Sequence, residues 1–286
     1  MNIKSCLITA AGLGTRMGEI GKKLPKPLWP IFDKNLLDLQ VEYAKNLGVE
    51  KIYINTHHHK DKINDWARDK DVIILEEELL LGSGGCIHNL KNTIKEDIGI
   101  ILIINSDQFY FVEKEFINAA YRMMLRDGVN SHLIGIEVDK TEKYNETCLV
   151  NNYLNDIKKP SGESSYITYS GVGLINIDNI EYVSGESSFF KSVCDYKKEK
   201  VRLTTPTNRE YWDFGTKEKY LENIFKLLED KENEMYKFLV SAKAIPKNII
   251  DLKAVPNIIE MCSGELILSK KESSYSISYK ELTSLP

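Results

Sequence analysis

The chain has 286 residues, of which 42% are hydrophobic and 28% charged, with a formal net charge of −4. This composition is typical of a globular protein with a sizeable core, and it excludes a generally positive surface for nucleic acid. No apolar segment approaches the roughly 20 residues that span a bilayer, and the five cysteines form no C-x-x-C pair. We therefore expect a cytoplasmic protein with reduced thiols and no membrane segment, structural zinc site or disulfide framework.

Short apolar segments alternate with longer amphipathic segments in the first 130 residues. The patterns predict strands at 3–9, 51–55, 72–75 and 99–104, and helices at 35–47, 83–90 and 114–126. Because a strand–helix alternation is typical of sheets with parallel strands, we predict an α/β fold with a doubly wound, mainly parallel sheet.

Strands dominate the segment after residue 130. The patterns predict strands in SHLIGIEV, TCLVNNYLNDI and YITYSGVGLINI, with a turn at Asn151 and Asn152. A helix at 216–229, capped by Thr216, closes this part, and the charged residues 229–234 read as a linker. We assign a catalytic domain to residues 1–230 and an extension to 235–286. That extension has no recognisable motif. Packing against the catalytic domain is the favoured expectation for it, and a small added domain, a homodimer contact and a partner site stay open as alternatives.

A glycine turn follows the first strand in ITAAGLGTRM, where Gly12 and Gly14 precede Arg16, and Lys26 comes ten residues later. Glycine allows positive φ and close backbone approach, so consecutive N–H groups can bind an anion. An arginine fork and a lysine suit a triphosphate. Met17 stands where a dinucleotide fingerprint has its third glycine, and no P-loop Gly-Lys-Ser/Thr follows. We predict a triphosphate site, with a ligand-free turn as the alternative.

Two aspartates occupy positions suited to a metal ion. Asp107 follows the strand at 99–104, and Asp213 precedes the helix at 216–229. Ligands of open α/β sheets lie beyond the carboxyl ends of strands, and carboxylates are preferred by Mg²⁺. Two carboxylates around Mg²⁺ would match metal-assisted transfer at phosphorus. Taken singly, each aspartate can instead cap a helix or a turn.

A second glycine-rich segment, LLGSGG at 80–85, opens a helix and follows three consecutive glutamates at 76–78. This arrangement predicts a close approach of backbone to a base, or to phosphate at a helix N-terminus. A plain loop is the alternative. We expect at least one glutamate to accept hydrogen bonds from a base, and the others to face water.

In their order, these segments resemble the sugar-1-phosphate nucleotidyltransferase family. The similarity covers about residues 3–228, and short bacterial members acting on heptose, mannose or N-acetylmuramate 1-phosphate are the most similar. It implies a Rossmann-like, glycosyltransferase-A-like fold with a small C-terminal extension. The matching segments are AAGLGTRM, PKP at 25–27, LGSGG at 81–85, Asp107, IKKP at 157–160, SGVG at 170–173 and DFGT at 213–216.

The resemblance implies an EC 2.7.7 enzyme that joins a nucleoside triphosphate, GTP or UTP favoured, to a sugar 1-phosphate for cell-surface polysaccharide synthesis. Arg16, Lys26 and Asp107 would be catalytic, and Asp107 and Asp213 would hold Mg²⁺. Lys159 and Gly171 would bind the sugar phosphate. The residues implied to bind the nucleotide are Ala11, Gly12, Gly14, Thr15, Glu78, Gly82 and Ser83. The motifs leave the base and the sugar open, and a non-catalytic nucleotide or sugar-phosphate sensor on the same fold is the alternative.

Two departures from the family pattern fall in the part implied to bind the sugar. Lys158 stands where many relatives have a glutamate that binds sugar hydroxyls. The tract Tyr144–Thr147 lacks the glycine that often follows the tyrosine.

Overall fold

The computed structural model describes residues 3–14, 21, 24–160, 162, 164–207 and 210–245, together with the backbone of three strands between 257 and 280. The chain forms two compact units. The first contains residues 1–12, 44–105 and 110–209, and the second contains 13–43, 106–109 and 210–286. The division into a catalytic domain, 1–230, and an extension, 235–286, concerns function and stays a prediction.

A nine-stranded mixed sheet forms the first unit. Its strands are β1 Ser5–Thr9, β4 Lys51–Thr56, β5 Ile73–Glu76, β6 Ile100–Asn105, β8 Ser131–Val138, β9 Glu146–Val150, β10 Tyr153–Lys158, β11 Tyr166–Asn176 and β12 Val201–Thr204. Their order across the sheet is β5-β4-β1-β6-β11-β8-β12-β10-β9. The strands β5, β4, β1 and β6 are parallel to one another, and β12 is parallel to β8, whereas β11, β10 and β9 pair antiparallel with their neighbours. The α/β class is therefore confirmed, with a parallel half and a mixed half.

The long helices lie where the hydrophobic spacing predicts them. They are α1 Leu36–Asn46, α3 Gly82–Thr93, α4 Lys114–Asp127 and α6 Lys217–Glu229. Thr216 caps α6, because its side chain accepts a hydrogen bond from the Lys219 backbone N–H. Three shorter helices were not predicted, namely α2 Lys60–Ala67, α5 Phe189–Ser192 and α7 Glu234–Ser241.

The hairpin of β9 and β10 confirms the predicted turn. Asn151 and Asn152 have φ values of 53° and 65°, and two consecutive positive φ values characterise the type I′ turn that suits the twist of a hairpin. Lys158 pairs with Glu146 across these strands, in register and through an ion pair of 3.7 Å.

An aromatic core fills the second unit. The rings of Trp29 and Tyr220 pack edge-to-face with their centroids 5.2 Å apart. The rings of Phe109 and Phe214 have the same geometry, with a centroid distance of 6.1 Å. Such edge-to-face pairs stabilise a core beyond the area they bury. The unit's strands are β2 Pro30–Ile31, β3 Lys34–Asn35, β7 Gln108–Tyr110, which ends in the first unit, β13 Tyr211–Asp213, and the antiparallel set β14 Asn257–Met261, β15 Gly264–Lys271 and β16 Ser274–Lys280.

The predicted linker at 229–234 is shorter than expected. Helix α6 ends at Glu229 and α7 already begins at Glu234, where the Asn233 side chain accepts a hydrogen bond from Tyr236 N–H. The side chains of Met235, Phe238 and Leu239 on α7 are buried. Residues 234–241 are therefore a packed helix within the second unit.

Four of the five cysteines lie in the described part of the chain. Cys6, Cys86, Cys148 and Cys194 are unpaired, and Cys148 is the most exposed of them. Burial raises the pKa of Cys86 to about 12, so its thiol is protonated at neutral pH. Among the residues described, no helix has the length and apolarity that a membrane span requires.

Candidate active site

Three polar side chains lie side by side at the carboxyl ends of the parallel strands. Thr9, the last residue of β1, is in register with Asn55 on β4 and with Asn105 on β6. The Thr9 hydroxyl donates to Asn105 Oδ1 at 2.9 Å. This is the edge at which open α/β sheets bind ligands, and the predicted glycine turn starts from it.

The first glycine turn is anchored by Asn55. The backbone N–H of Ala10 donates to Asn55 Oδ1 at 2.7 Å, and Ala11 is buried. Gly12 borders open space, because a Cβ there would meet nothing within 4 Å. These features fit a backbone that a ligand can approach. The predicted contacts of Thr15 and Arg16 lie outside the described residues.

Gly14 and Lys26 are brought together within the second unit. Gly14 has a φ of 62°, in the left-handed region that favours glycine. A Cβ at this position would lie 3.9 Å from both the Cβ and the backbone nitrogen of Lys26. The glycine turn and Lys26 are therefore neighbours, as a phosphate site requires.

Glu77 joins the strand edge to the second glycine segment. Its Oε1 accepts from Asn55 Nδ2 at 2.7 Å, and its Oε2 accepts from the Leu81 N–H at 3.1 Å. Glu77 is buried, whereas Glu76 and Glu78 are exposed. Burial raises the pKa of Glu77, although these hydrogen bonds act in the opposite direction.

The predicted base contact of Glu78 stays a prediction. Its side chain lies at the surface in the segment between Glu77 and Leu81. The sequence predicts that at least one of the three glutamates contacts a base and that the others face water. In the structure, Glu77 is the buried one. The adjacent positions of three identical residues offered no signal that could tell them apart.

The glycines of the second segment make room for the protein's own backbone. Gly82 has a φ of 72°, and a Cβ there would lie 2.8 Å from the carbonyl oxygen of Ser187. The N–H groups of Gly84 and Gly85 donate to that same oxygen at 2.9 and 3.4 Å. The Ser83 hydroxyl accepts from Phe189 N–H at 3.0 Å. Part of the N-terminus of α3 is therefore capped internally, and the ligand contacts of Gly82 and Ser83 stay predictions.

The two predicted sugar-phosphate residues lie on different strands of the mixed half. Gly171 has a φ of 84° at a register shift between Tyr169 and Val172 in β11, which is a β-bulge. Lys159 is exposed and directly follows β10. Two strands lie between β11 and β10, which puts them about 14 Å apart across the sheet at the usual strand spacing. Their shared role stays a prediction.

The structure brings the two predicted metal-binding aspartates together in the second unit. The Phe214 N–H donates to the Asp107 carbonyl oxygen at 2.8 Å, next to the short ladder of β7 and β13. A Cβ placed on Gly215 would lie 2.7 Å from Asp213 Oδ1 and 3.2 Å from Asp107 Oδ2. Both carboxylates therefore converge on one point, which the absence of a side chain at Gly215 leaves open.

Each carboxylate is paired with a lysine. Lys26 forms a short ion pair with Asp107, and Lys219 Nζ lies 3.0 Å from Asp213 Oδ2. The Asp213 side chain also accepts from Gly215 N–H at 2.8 Å. Lys219 was not predicted, because its position in the first turn of α6 does not indicate which way its side chain points.

The pair of carboxylates has the donor chemistry that a hard divalent cation requires. Oxygen ligands are what Mg²⁺ prefers, and it commonly uses one or two carboxylates together with water and substrate phosphates. In the described part of the chain, no group of three or more histidine, cysteine, aspartate or glutamate side chains could hold a metal. Within the described ranges, a cation at Asp107 and Asp213 would thus find no third ligand of these types.

Comparisons with known proteins point to one family. A family model described as "Nucleotidyl transferase" matches residues 5–147. The bifunctional protein GlmU of Methanococcus maripaludis is 30% identical over 176 residues, which are 60% of this chain and 40% of GlmU. The D-glycero-alpha-D-manno-heptose 1-phosphate guanylyltransferase of Campylobacter jejuni is 32% identical over 112 residues, which are 37% of this chain and 49% of that protein.

Solved structures share the fold. The crystal structure of HddC from Yersinia pseudotuberculosis complexed with GMP-PN is similar with a TM-score of 0.65 and 25% identity, over 78% of this chain and 99% of HddC. The chain spans less than half the length of the two curated relatives above. Because the family model matches half of the chain, and because the fold and the order of the motifs agree with it, this chain belongs to the nucleotidyl transferase family.

Proposed function

We propose that the chain transfers a nucleotidyl group from a nucleoside triphosphate to a sugar 1-phosphate, releasing pyrophosphate and an NDP-sugar for cell-surface polysaccharide synthesis. The observation that carries this proposal is the convergence of Asp107 and Asp213 beside the paired ammonium groups of Lys26 and Lys219. Membership of the nucleotidyl transferase family supports the same reaction class.

The reaction is an in-line displacement at the α-phosphorus. An oxygen of the sugar 1-phosphate attacks, the P–O bond to the β-phosphate breaks, and pyrophosphate leaves with the bonding electrons. Because a phosphate monoester has a second pKa of about 6, its attacking oxygen is already ionised at neutral pH. The reaction therefore requires no general base, and catalysis depends on positioning and on neutralising charge.

In this proposal, the chain's own residues position the substrates and neutralise their charge. The backbone turn at Gly12 and Gly14 would bind the phosphates, as oriented N–H groups do in anion nests. Lys26 would place its ammonium against the charge that develops on the phosphates. Asp107 and Asp213 would hold Mg²⁺, which supplies positive charge to the phosphate oxygens when it is bound. The proposed contacts of Arg16 and Thr15 with the triphosphate rest on the sequence.

GTP and UTP are the favoured triphosphates. A Campylobacter jejuni relative is named a guanylyltransferase, and the similar HddC structure was solved with GMP-PN, which supports GTP. The contacts of Glu78, Gly82 and Ser83 with the base, and of Lys159 and Gly171 with the sugar phosphate, belong to this proposal. A cytoplasmic location, a homodimer and the absence of a nucleic-acid partner stay predictions from the sequence.

The proposal predicts that Asp107→Ala and Lys26→Ala each abolish Mg²⁺-dependent pyrophosphate release. Asp107→Ala removes a metal ligand, and Lys26→Ala removes the ammonium that the phosphates require. The controls are Asp69→Ala and Lys45→Ala, which change the same residue types at exposed positions. Circular dichroism verifies that each variant is folded. Wild-type rates in both Asp107→Ala and Lys26→Ala would refute the assignment.

A further inference from the structure

We propose that Lys219 is an internal counter-cation of the carboxylate pair, which a divalent cation must displace, and that it favours arrival of the cation together with the polyphosphate. This inference rests on the proposed function, because it assumes that Asp107 and Asp213 hold the metal. Neither the sequence motifs nor the resemblance assigns a role to Lys219.

The position of Lys219 is set by helix α6. Its backbone N–H donates to the capping Thr216 hydroxyl at 3.2 Å, which fixes this residue in the first turn. Its ammonium then lies 3.0 Å from Asp213 Oδ2. Only 10% of the Asp213 side chain is exposed, against 28% of Lys219. The ammonium therefore neutralises a largely buried carboxylate while it keeps access to solvent.

Asp213 does not depend on Lys219 for its orientation. Its Oδ1 accepts from the Gly215 N–H at 2.8 Å, and its backbone carbonyl accepts from Asn223 Nδ2 at 2.8 Å. The first bond holds the carboxylate itself, and the second holds the backbone of the same residue. Removing the Lys219 side chain should therefore remove a positive charge and leave the carboxylate where it is.

The charges explain why the cation should arrive with an anion. The carboxylates of Asp107 and Asp213 are matched by the ammonium groups of Lys26 and Lys219. A bare divalent cation entering this cluster is repelled by both ammonium groups at short range. A cation that carries a polyphosphate brings compensating negative charge, which the displaced lysines can then contact.

The test is the affinity of the full chain for Mn²⁺, measured by electron paramagnetic resonance, and for the Mn²⁺–pyrophosphate complex, measured by calorimetry. Lys219→Met keeps the length of the side chain and removes its charge. We expect Lys219→Met to bind free Mn²⁺ about threefold or more tightly, and Mn²⁺–pyrophosphate about threefold or more weakly, than the wild type. Lys219→Arg, which keeps the charge, should resemble the wild type.

The matched control is Lys237→Met, which removes one positive charge from an exposed site on α7 in the same unit. Equal shifts in Lys219→Met and Lys237→Met would overturn the inference, because they would reflect net charge alone. An unchanged or weaker affinity of Lys219→Met for free Mn²⁺ would also overturn it. Neither measurement needs turnover, so the inference and the proposed reaction can fail independently.

Discussion

At the scale of the residue, Gly215 is the position on which the carboxylate pair depends most directly. The conformation of its backbone is accessible to any residue, but its missing side chain leaves the space between Asp213 Oδ1 and Asp107 Oδ2 open. A methyl group at 2.7 Å from a carboxylate oxygen is closer than non-bonded carbon and oxygen atoms approach. Glycine is required here by the site and not by the turn.

We therefore predict that Gly215→Ala lowers pyrophosphate release about 100-fold or more, because it displaces a proposed metal ligand by a distance that matters for catalysis. Its melting temperature should change little compared with its activity. Gly162→Ala is the control, since a Cβ at Gly162 would meet only ordinary contacts at 3.8 Å. Full activity of Gly215→Ala would show that the carboxylates do not converge on a bound cation.

The buried side chain of His132 should make the free energy of unfolding depend on pH. Its ring is fully buried, with Nδ1 at 3.1 Å from the Ala120 carbonyl oxygen and Nε2 at 2.8 Å from the Thr204 hydroxyl. Burial and the nearby charge of Arg202 lower the pKa of His132 to about 4, while Asp127 acts in the opposite direction. Below pH 6.5 the unfolded chain binds a proton that the folded chain binds only near pH 4.

The free energy of unfolding should thus fall as the pH drops from 6.5 to 4, by about 3 kcal/mol from this group alone. His132→Asn keeps an N–H donor but does not titrate, so its stability should depend less on pH across that window. Urea unfolding at several pH values measures the free energy of unfolding of the wild type and of His132→Asn. Parallel pH profiles for the wild type and His132→Asn would contradict the assignment.

The residues of the candidate site differ in how far the sequence could predict them. Asp107 and Asp213 were predictable, because each stands next to a strand or a helix end where ligands bind. Asn55 and Lys219 were not. The role of Asn55 comes from Ala10 and Glu77, which are 45 and 22 residues away in the sequence. Lys219 is near Asp213 in the sequence, but only the folded path from β13 into α6 directs its ammonium at that carboxylate.

At the scale of the element, the start of helix α3 is shaped by the segment at 185–192. The Ser187 N–H donates to the Leu81 carbonyl oxygen at 2.9 Å, and the Ser187 carbonyl in turn accepts from Gly84 and Gly85. A Cβ at Gly84 would lie 2.4 Å from the Ser192 hydroxyl oxygen and 2.8 Å from that of Ser187. Here a glycine-rich motif that resembles a ligand site also serves packing.

We predict that Gly84→Ala destabilises the protein by about 1–3 kcal/mol, as overpacking does. The sign of this change in stability is informative, since alanine within a helix normally stabilises the helix by up to about 1 kcal/mol relative to glycine. Asn92→Ala, an exposed position of the same helix, is the control. Chemical denaturation measures the difference, and a stabilised Gly84→Ala would mean that the segment at 185–192 does not lie against α3.

Element length decided which helices and strands were predictable. The long helices α1, α4 and α6 show full hydrophobic periodicity, and their predicted bounds agree with the structure within one or two residues. Helix α2 buries only Ile63 in its eight residues, and β7 and β13 have three residues each, which is too short for a period to show. Helix α7 did carry a signal, the Asn233 cap followed by the buried residues 235, 238 and 239.

At the scale of the whole molecule, strand order was beyond the reach of the sequence. Strand β11 lies antiparallel between β6 and β8, and β12 is parallel to β8. Strands that are buried almost throughout, such as β6 and β8, can pair with many neighbours, since burial on both faces removes the alternation that would orient them. The second unit likewise collects segments 13–43, 106–109 and 210–286, which no pattern along the chain connects.

The most direct test of the proposed reaction uses the full wild-type chain with Mg²⁺, each of the four nucleoside triphosphates and a panel of sugar 1-phosphates. Pyrophosphate and NDP-sugar are measured together in every mixture. We predict at least one combination, with GTP or UTP, in which the two products form in equal amounts. Binding of a triphosphate and a sugar phosphate without either product in any mixture would contradict the proposal and would favour a sensor.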